Sequence, residues 1–263
     1  IIGNIIVGNI EVNGFNQHDL IGDTAFIVGN RIFPDSSGQD GYIHWTNIYR
    51  HFFIANNFIT SSVASGLIRV SLMRSGDGTN AIINNSLLLE RSGFVPRHHS
   101  AIDFPGQIYS SQHLKIENNA YHVTTNPDAY AHFGIDTTDY MVRFGSPIDT
   151  GARIEIVHNV YEGNDEGLTN AATSEALQSG NVEAANTFSL SAASGVCAAP
   201  ECLDGGRPSY NHFDHDLSIN DVGVAGGSYN YNTFYPLFTG PSKVAIVKTA
   251  RVVKDGHSIR VEA

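Results

Sequence analysis

The chain has 263 residues, 41% of them hydrophobic and 16% charged, with 26 Gly, 23 Asn, four Lys and a formal net charge of −11. Ordinary domains carry roughly 25% charged residues, so the shortfall argues against helices laced with ion pairs, while ordinary hydrophobicity excludes a disordered chain. The acidic balance excludes non-specific binding to nucleic acid or anionic lipid, and no apolar run reaches the ~18 residues of a membrane helix. The expectation is an acidic, all-β chain that is not an integral membrane protein.

The first predicted element is the strand-like run Ile1-Ile2-Gly3-Asn4-Ile5-Ile6-Val7. It carries neither an initiator Met nor a signal peptide, so the chain reads as a processed or partial piece of something longer. The same pattern recurs in Ala25 to Phe33, Phe52 to Ile59, Ala81 to Leu87, Leu114 to Tyr121 and Ile154 to Tyr161. Aligned on Asn4, Asn30, Asn57, Asn85, Asn119 and Asn159, the copies are 26, 27, 28, 34 and 40 residues apart. Three residues before each Asn stands an isoleucine: Ile1, Ile27, Ile54, Ile82, Ile116, Ile156. Two residues after it stands Ile6, Ile32, Ile59, Leu87, Tyr121 or Tyr161. Apolar residues alternate with others on the way into the Asn, which is the period of a strand.

A unit of this length, with two short strands and one turn Asn, suits one coil of a parallel β-solenoid, in which stacked coils share a core that no single coil can bury. Asn suits the turn because it tolerates left-handed backbone, and stacked Asn side chains can bond to one another. The longer spacings predict loops inserted around residues 95–106 and 126–147. The Ile-x-x-Asn-x-hydrophobic coil resembles that of the right-handed parallel β-helix family, the pectate-lyase-like group of secreted bacterial and phage proteins. The resemblance implies the fold for residues 1–165 and export, but not one function, because that fold hosts lyases, hydrolases, adhesins and tailspikes.

Residues 166–194 turn small and polar, with helical propensity over residues 171–178. Cys197 and Cys202 lie in a loop-like stretch and are expected to form a local disulfide. Next comes Leu203-Asp204-Gly205-Gly206-Arg207-Pro208, then Asp214-His215-Asp216 and Asn220-Asp221-Val222-Gly223 up to Gly226-Gly227. This run is similar to the closing segment of many secreted β-helix proteins, so residues 166–240 are read as final coils and a C-terminal cap. Asp214, Asp216 and Asp221 offer oxygen ligands to calcium, or alternatively accept backbone N–H groups in a turn. Residues 241–263 hold three of the four lysines and two alternating stretches around Asp255-Gly256. They predict a β-hairpin that looks like the start of an immunoglobulin-like module.

Strand alternation points two columns outward. The column six before each Asn reads Thr24, His51, Thr79, His113, Arg153; the column four before reads Phe26, Phe53, Ala81, Lys115, Glu155. With coils ~4.8 Å apart, His51 and His113 come within ~10 Å, flanked by Arg50, Asp23 and Arg153. Phe53, Arg50, Lys115 and Asp23 are candidate carbohydrate contacts, with aromatic surface for sugar rings and cations for uronate carboxylates. His51, His113 and Arg153 are the candidate catalytic set, since lyases of acidic polysaccharides need a base and a cation. Arg97-His98-His99 with Asp103 form a second cluster in an inserted loop. The carboxylate pairs Asp35/Asp40 and Asp136/Asp139 are the candidates for glycosidase chemistry. Asn84-Asn85-Ser86 fits a glycosylation pattern but falls in the turn ladder, and is read as structure. The leading expectation is an extracellular or cell-surface module that binds polysaccharide or serves as an adhesive or matrix element. The alternatives are a polysaccharide lyase or glycoside hydrolase, and a filament subunit that self-associates through its chain ends.

Overall fold

A computed structural model describes residues 1–13, 24–35, 41–46, 51–62, 66–71, 79–90, 100–124, 140–162, 167–184, 190–191, 193–197, 199–208 and 218–227, and the backbone of two strands near the C-terminus. The coils wind as a right-handed parallel β-helix, with their strands stacked into three parallel sheets. The first sheet holds the strands that lead into the turn Asn: Thr24–Val28, His51–Ala55, Thr79–Ile83, His113–Glu117, Arg153–Val157 and Leu177–Ser179. The second holds those that leave it: Ile5–Val7, Arg31–Phe33, Phe58–Ser61, Ser86–Glu90, Ala120–Thr124, Val160–Glu162 and Val182–Ala184. The third holds Ile10–Asn13, Ile43–Thr46, Ile68–Val70, Ser100–Phe104, Tyr140–Phe144 and Gly167–Thr169.

The register is the one written in the repeat. Ile27 pairs with Ile54, Ile54 with Ile82, Ile82 with Ile116 and Ile116 with Ile156, so one isoleucine column runs through the core. Ile32, Ile59, Leu87 and Tyr121 stack likewise on the second sheet and are buried. The third sheet closes the core with Ile10, Ile43, Ile68 and Ile102 in one inward column. Trp45, Val70, Phe104 and Phe144 lie inward beside them, the last two stacked at 5.2 Å. Burial of such side chains stabilises by about 1.5–3 kcal/mol each, so the core is shared evenly along the axis instead of being concentrated in one layer.

Between the first and second sheets runs the asparagine ladder. Each rung donates its backbone N–H and its Nδ2 to the Oδ1 of the next, from Asn4 through Asn30, Asn57, Asn85, Asn119 and Asn159, with side-chain distances of 2.9–3.2 Å. The ladder asparagines are not themselves left-handed, contrary to the sequence expectation. That conformation belongs to the residue before each: Gly3, Gly29, Asn56, Asn84, Asn118, His158 and Gly180, with φ between 52° and 67°. The division of labour is physical: the left-handed residue turns the chain, which frees the next Asn to aim its side chain along the axis. Gly180 is additionally required because a Cβ there would lie 2.6 Å from the His158 ring of the coil below.

The structure adds a seventh rung, Asn181, whose Oδ1 accepts from Asn159 N–H and Nδ2 at 3.0 Å each. Sequence reasoning missed it because Gln178 and Glu183 occupy the two apolar columns of that coil. Residues 171–178 make a turn followed by a short strand and no helix, as their lack of an apolar helical stripe allows.

The described parts of residues 190–227 do not add coils but form a strap over the outer face of the second sheet. Leu190, Cys202, Val222 and Val224 pack on Phe58, Leu88, Ala120, Val160 and Ala184, a second apolar cluster outside the solenoid. Cys197 and Cys202 form a disulfide within it. Near the C-terminus, Arg251–Asp255 and Ser258–Glu262 pair as an antiparallel hairpin. Among the described residues no helix is long and apolar enough to cross a membrane.

Candidate functional site

The outer face of the first sheet carries the two columns read from the sequence. Thr24 is in register with His51, and Thr79 with His113 and then Arg153. Phe26 pairs with Phe53, Phe53 with Ala81, Ala81 with Lys115 and Lys115 with Glu155. Phe26 is 48% exposed, and its ring centroid is 5.8 Å from that of half-buried Phe53. The two rings form an apolar step at one end of the face, and Lys115 and Arg153 lie two and three coils further on. Neither cation makes an ion pair with another described residue.

His113 and Glu155 belong to a connected polar chain. His113 Nδ1 is 3.2 Å from Thr79 Oγ1, and its Nε2 is 3.1 Å from Glu155 Oε1. Glu155 Oε2 accepts from Arg207 Nη1 at 3.1 Å, and the same nitrogen donates to Glu117 Oε1 at 2.5 Å. Burial alone would push the Glu155 carboxyl up, but hydrogen bonds from His113 and Arg207 and the charges of Lys115 and Arg207 together hold it below its usual range. Glu117 is wholly buried in a column otherwise filled by Val28, Ala55, Ile83 and Val157, and Arg207 gives it its counter-charge. Arg207 comes from the strap, over 50 residues beyond Glu155, so no local pattern pointed to it.

The third sheet carries a charged column that sequence reasoning did not align. Glu11 pairs with His44, His44 with Arg69, Arg69 with Asp103 and Asp103 with Arg143, all on the outer face. Asp103 is only 3% exposed, with Arg69 Nε 3.5 Å from its Oδ2. Burial raises the Asp103 pKa, and the charges of Arg143 and Arg69 offset this only in part. His44 is lowered by burial and by Arg69, against the pull of Glu11, and its Nε2 lies 2.8 Å from Ser71 Oγ. The arrangement is a buried carboxylate on a strand between those bearing Arg69 and Arg143. Its signal in the sequence was hidden because the loops before the third sheet differ in length from coil to coil, which destroys any fixed offset from the ladder Asn.

Asp221, one of three candidate calcium ligands, uses Oδ1 to accept the backbone N–H of Asp204 at 2.9 Å. Its neighbour Asn220 exchanges amide hydrogen bonds with Asn84, at 2.9 and 3.1 Å. Asn56 Nδ2 donates to Gly226 O at 2.6 Å, and Asn118 Oδ1 accepts from Arg207 N–H at 2.8 Å. The closing motif therefore docks on the left-handed asparagines, a second Asn column beside the ladder. Among the described residues no group of three or more His, Cys, Asp or Glu side chains is arranged to hold a metal ion. Asp23, Arg50, Arg97, His98, His99, Asp40, Asp136, Asp139, Asp214 and Asp216 lie outside the described residues. Comparison with protein-family models, curated proteins and solved structures finds no match to this chain.

Proposed function

We propose that this β-helix is an extracellular or cell-surface module that binds polysaccharide along the outer face of its first sheet, in the manner of pectate-lyase-like proteins. The observation that carries this reading is the aligned outer column of Phe26 and Phe53 followed by Lys115, with Arg153 and His51 beside it. Aromatic faces take the apolar side of a pyranose ring, and cations that make no ion pair with another described residue take its carboxylate or sulfate. Glycan-array binding tests the reading: Phe53→Ala and Phe26→Ala are expected to abolish signals given by the wild-type chain. Retention of every signal by the double variant would refute it.

A second reading, cleavage of an acidic polysaccharide, is favoured by Asp103 alone. A buried carboxylate with a raised pKa between Arg69 and Arg143 suits a base beside cations that hold a substrate carboxylate and the charge that develops on it. Its test is the ultraviolet absorbance of unsaturated products formed from uronate polymers. Product that persists in Asp103→Asn would exclude Asp103 as the base.

A further inference from the structure

We infer that the strap, through Arg207, decides which polysaccharide the first-sheet face accepts: one in which neutral sugar rings adjoin a carboxylate or sulfate, not a uniformly charged polymer. The inference rests on the proposed glycan-binding role of that face and specifies its ligand.

The face is divided along the solenoid axis. Phe26 and Phe53 occupy neighbouring coils at one end, and the small, buried Ala81 lies on the next. Lys115 and Arg153 follow on the two coils after that, in adjacent outward columns, so both can reach one anion. Coils are ~4.8 Å apart, so an extended chain lying along the axis meets the face at about one sugar per coil. Its neutral rings lie on the phenylalanines and its anionic group lies on the cations two coils further on.

Glu155 lies in the cationic part of the face and Glu117 is buried beside it, and their charges would cancel it. Arg207 prevents this, since one guanidinium nitrogen donates to both. Among the described residues here, Lys115, Arg153 and Arg207 stand against Glu155 and Glu117, three cations to two carboxylates. Without it the surplus is gone, and Glu155 repels any anion brought to Lys115. The whole chain carries a net charge of −11, so a densely charged polyanion is repelled by the protein's own field, and this local surplus suits isolated anionic groups. Arg207 is thus a positioning and specificity residue. Its backbone N–H is anchored on Asn118 at 2.8 Å, and the strap bearing it is pinned by Asn56 and Asn84.

The test compares binding of three hexasaccharides to the full chain by calorimetry: a cello-oligosaccharide (neutral), a hyaluronan oligosaccharide (alternating) and an oligogalacturonate (fully charged). The expected order places the alternating ligand at least about tenfold above the other two, the worth of one charge-assisted hydrogen bond. Arg207→Met is expected to remove that preference. Arg207→Met combined with Glu155→Gln and Glu117→Gln is expected to restore it, because the triple variant lacks both carboxylates that would offset Lys115 and Arg153. Strongest binding by the fully charged or the neutral ligand would overturn the inference while leaving the glycan-binding reading intact. So would a preference that survives Arg207→Met, or that fails to return in a triple variant with wild-type circular dichroism. Absence of binding by all three ligands and by a broad glycan array would overturn the underlying reading as well.

Discussion

Asn85 lies in the middle of the ladder and is wholly buried. Its Nδ2 donates to Ile54 O, Ile83 O and Asn119 Oδ1 at 3.0–3.1 Å, and its Oδ1 accepts from Asn57 N–H and Nδ2 at 3.0 Å. In Asn85→Ala the Asn57 N–H is left buried with no acceptor, a loss of about 1–3 kcal/mol. Its two Nδ2 hydrogens, shared among three acceptors, add about 1–3 kcal/mol together, although Ile83 O keeps its bond from Asn56 N and Asn119 Oδ1 its bond from Asn85 N. The expected destabilisation is about 3–5 kcal/mol. The control is Asn4→Ala at the exposed end of the same ladder, where water can replace the lost partners and the loss should stay below about 1 kcal/mol. Urea denaturation followed by circular dichroism measures both, provided m is unchanged; a fall in m would mean that the coils have uncoupled. Equal losses at the two positions, within about 1 kcal/mol, would refute the ladder as a source of stability. Asn85→Asp should be worse than Ala at neutral pH, since a carboxylate would face three acceptor oxygens, and should recover in acid.

Asp103 has a folded-state pKa above its unfolded value, so its charged form weakens the fold at neutral pH, and the deficit disappears as pH falls through the raised value. Asp103→Asn is therefore expected to be at least as stable as wild type at pH 7, with the gap closing in acid; a loss above about 1 kcal/mol at pH 7 would contradict this. In Gly226→Ala the new Cβ would lie 1.8 Å from Asp221 O and 2.2 Å from Asn220 Oδ1, so the strap should lose its seat on Asn56 and Asn84. The expected loss is about 3 kcal/mol, with faster amide exchange at Val224 than in wild type; an unchanged melting temperature would refute the docking role. Reduction of Cys197–Cys202 opens a closed loop with a sequence separation of 5, worth about 2 kcal/mol in chain entropy. Exchange should rise at Val222 N–H, which bonds Cys202 O, and stay unchanged at ladder amides such as Asn85 N–H.

The sequence by itself determined the solenoid, its register and the outward columns of the first sheet. The reason is that stacked coils repeat the same short-range demand: an isoleucine inward, a turn, an Asn side chain along the axis. Such a demand leaves its mark at fixed offsets from Asn30, Asn57, Asn85, Asn119 and Asn159. Where coils vary in length the mark is lost, and the pairing of Arg69 with Asp103 on the third sheet became visible only once the coils were stacked. Asn181, the last rung among the described residues, was hidden for another reason: its coil is largely exposed and needs no apolar column, so Gln178 and Glu183 stand where Ile and Tyr did before. Which residue of the turn is left-handed was also decided by tertiary structure, because Asn56 and Asn57 are identical in sequence terms but differ in what their side chains meet. The strap is the largest such case. Its Gly- and Asp-rich motif could be read as a calcium site or as a turn, and its contacts join residues more than 100 positions apart, such as Asn84 with Asn220. Packing against the second sheet, not local propensity, brings Arg207 to Glu117 and Glu155.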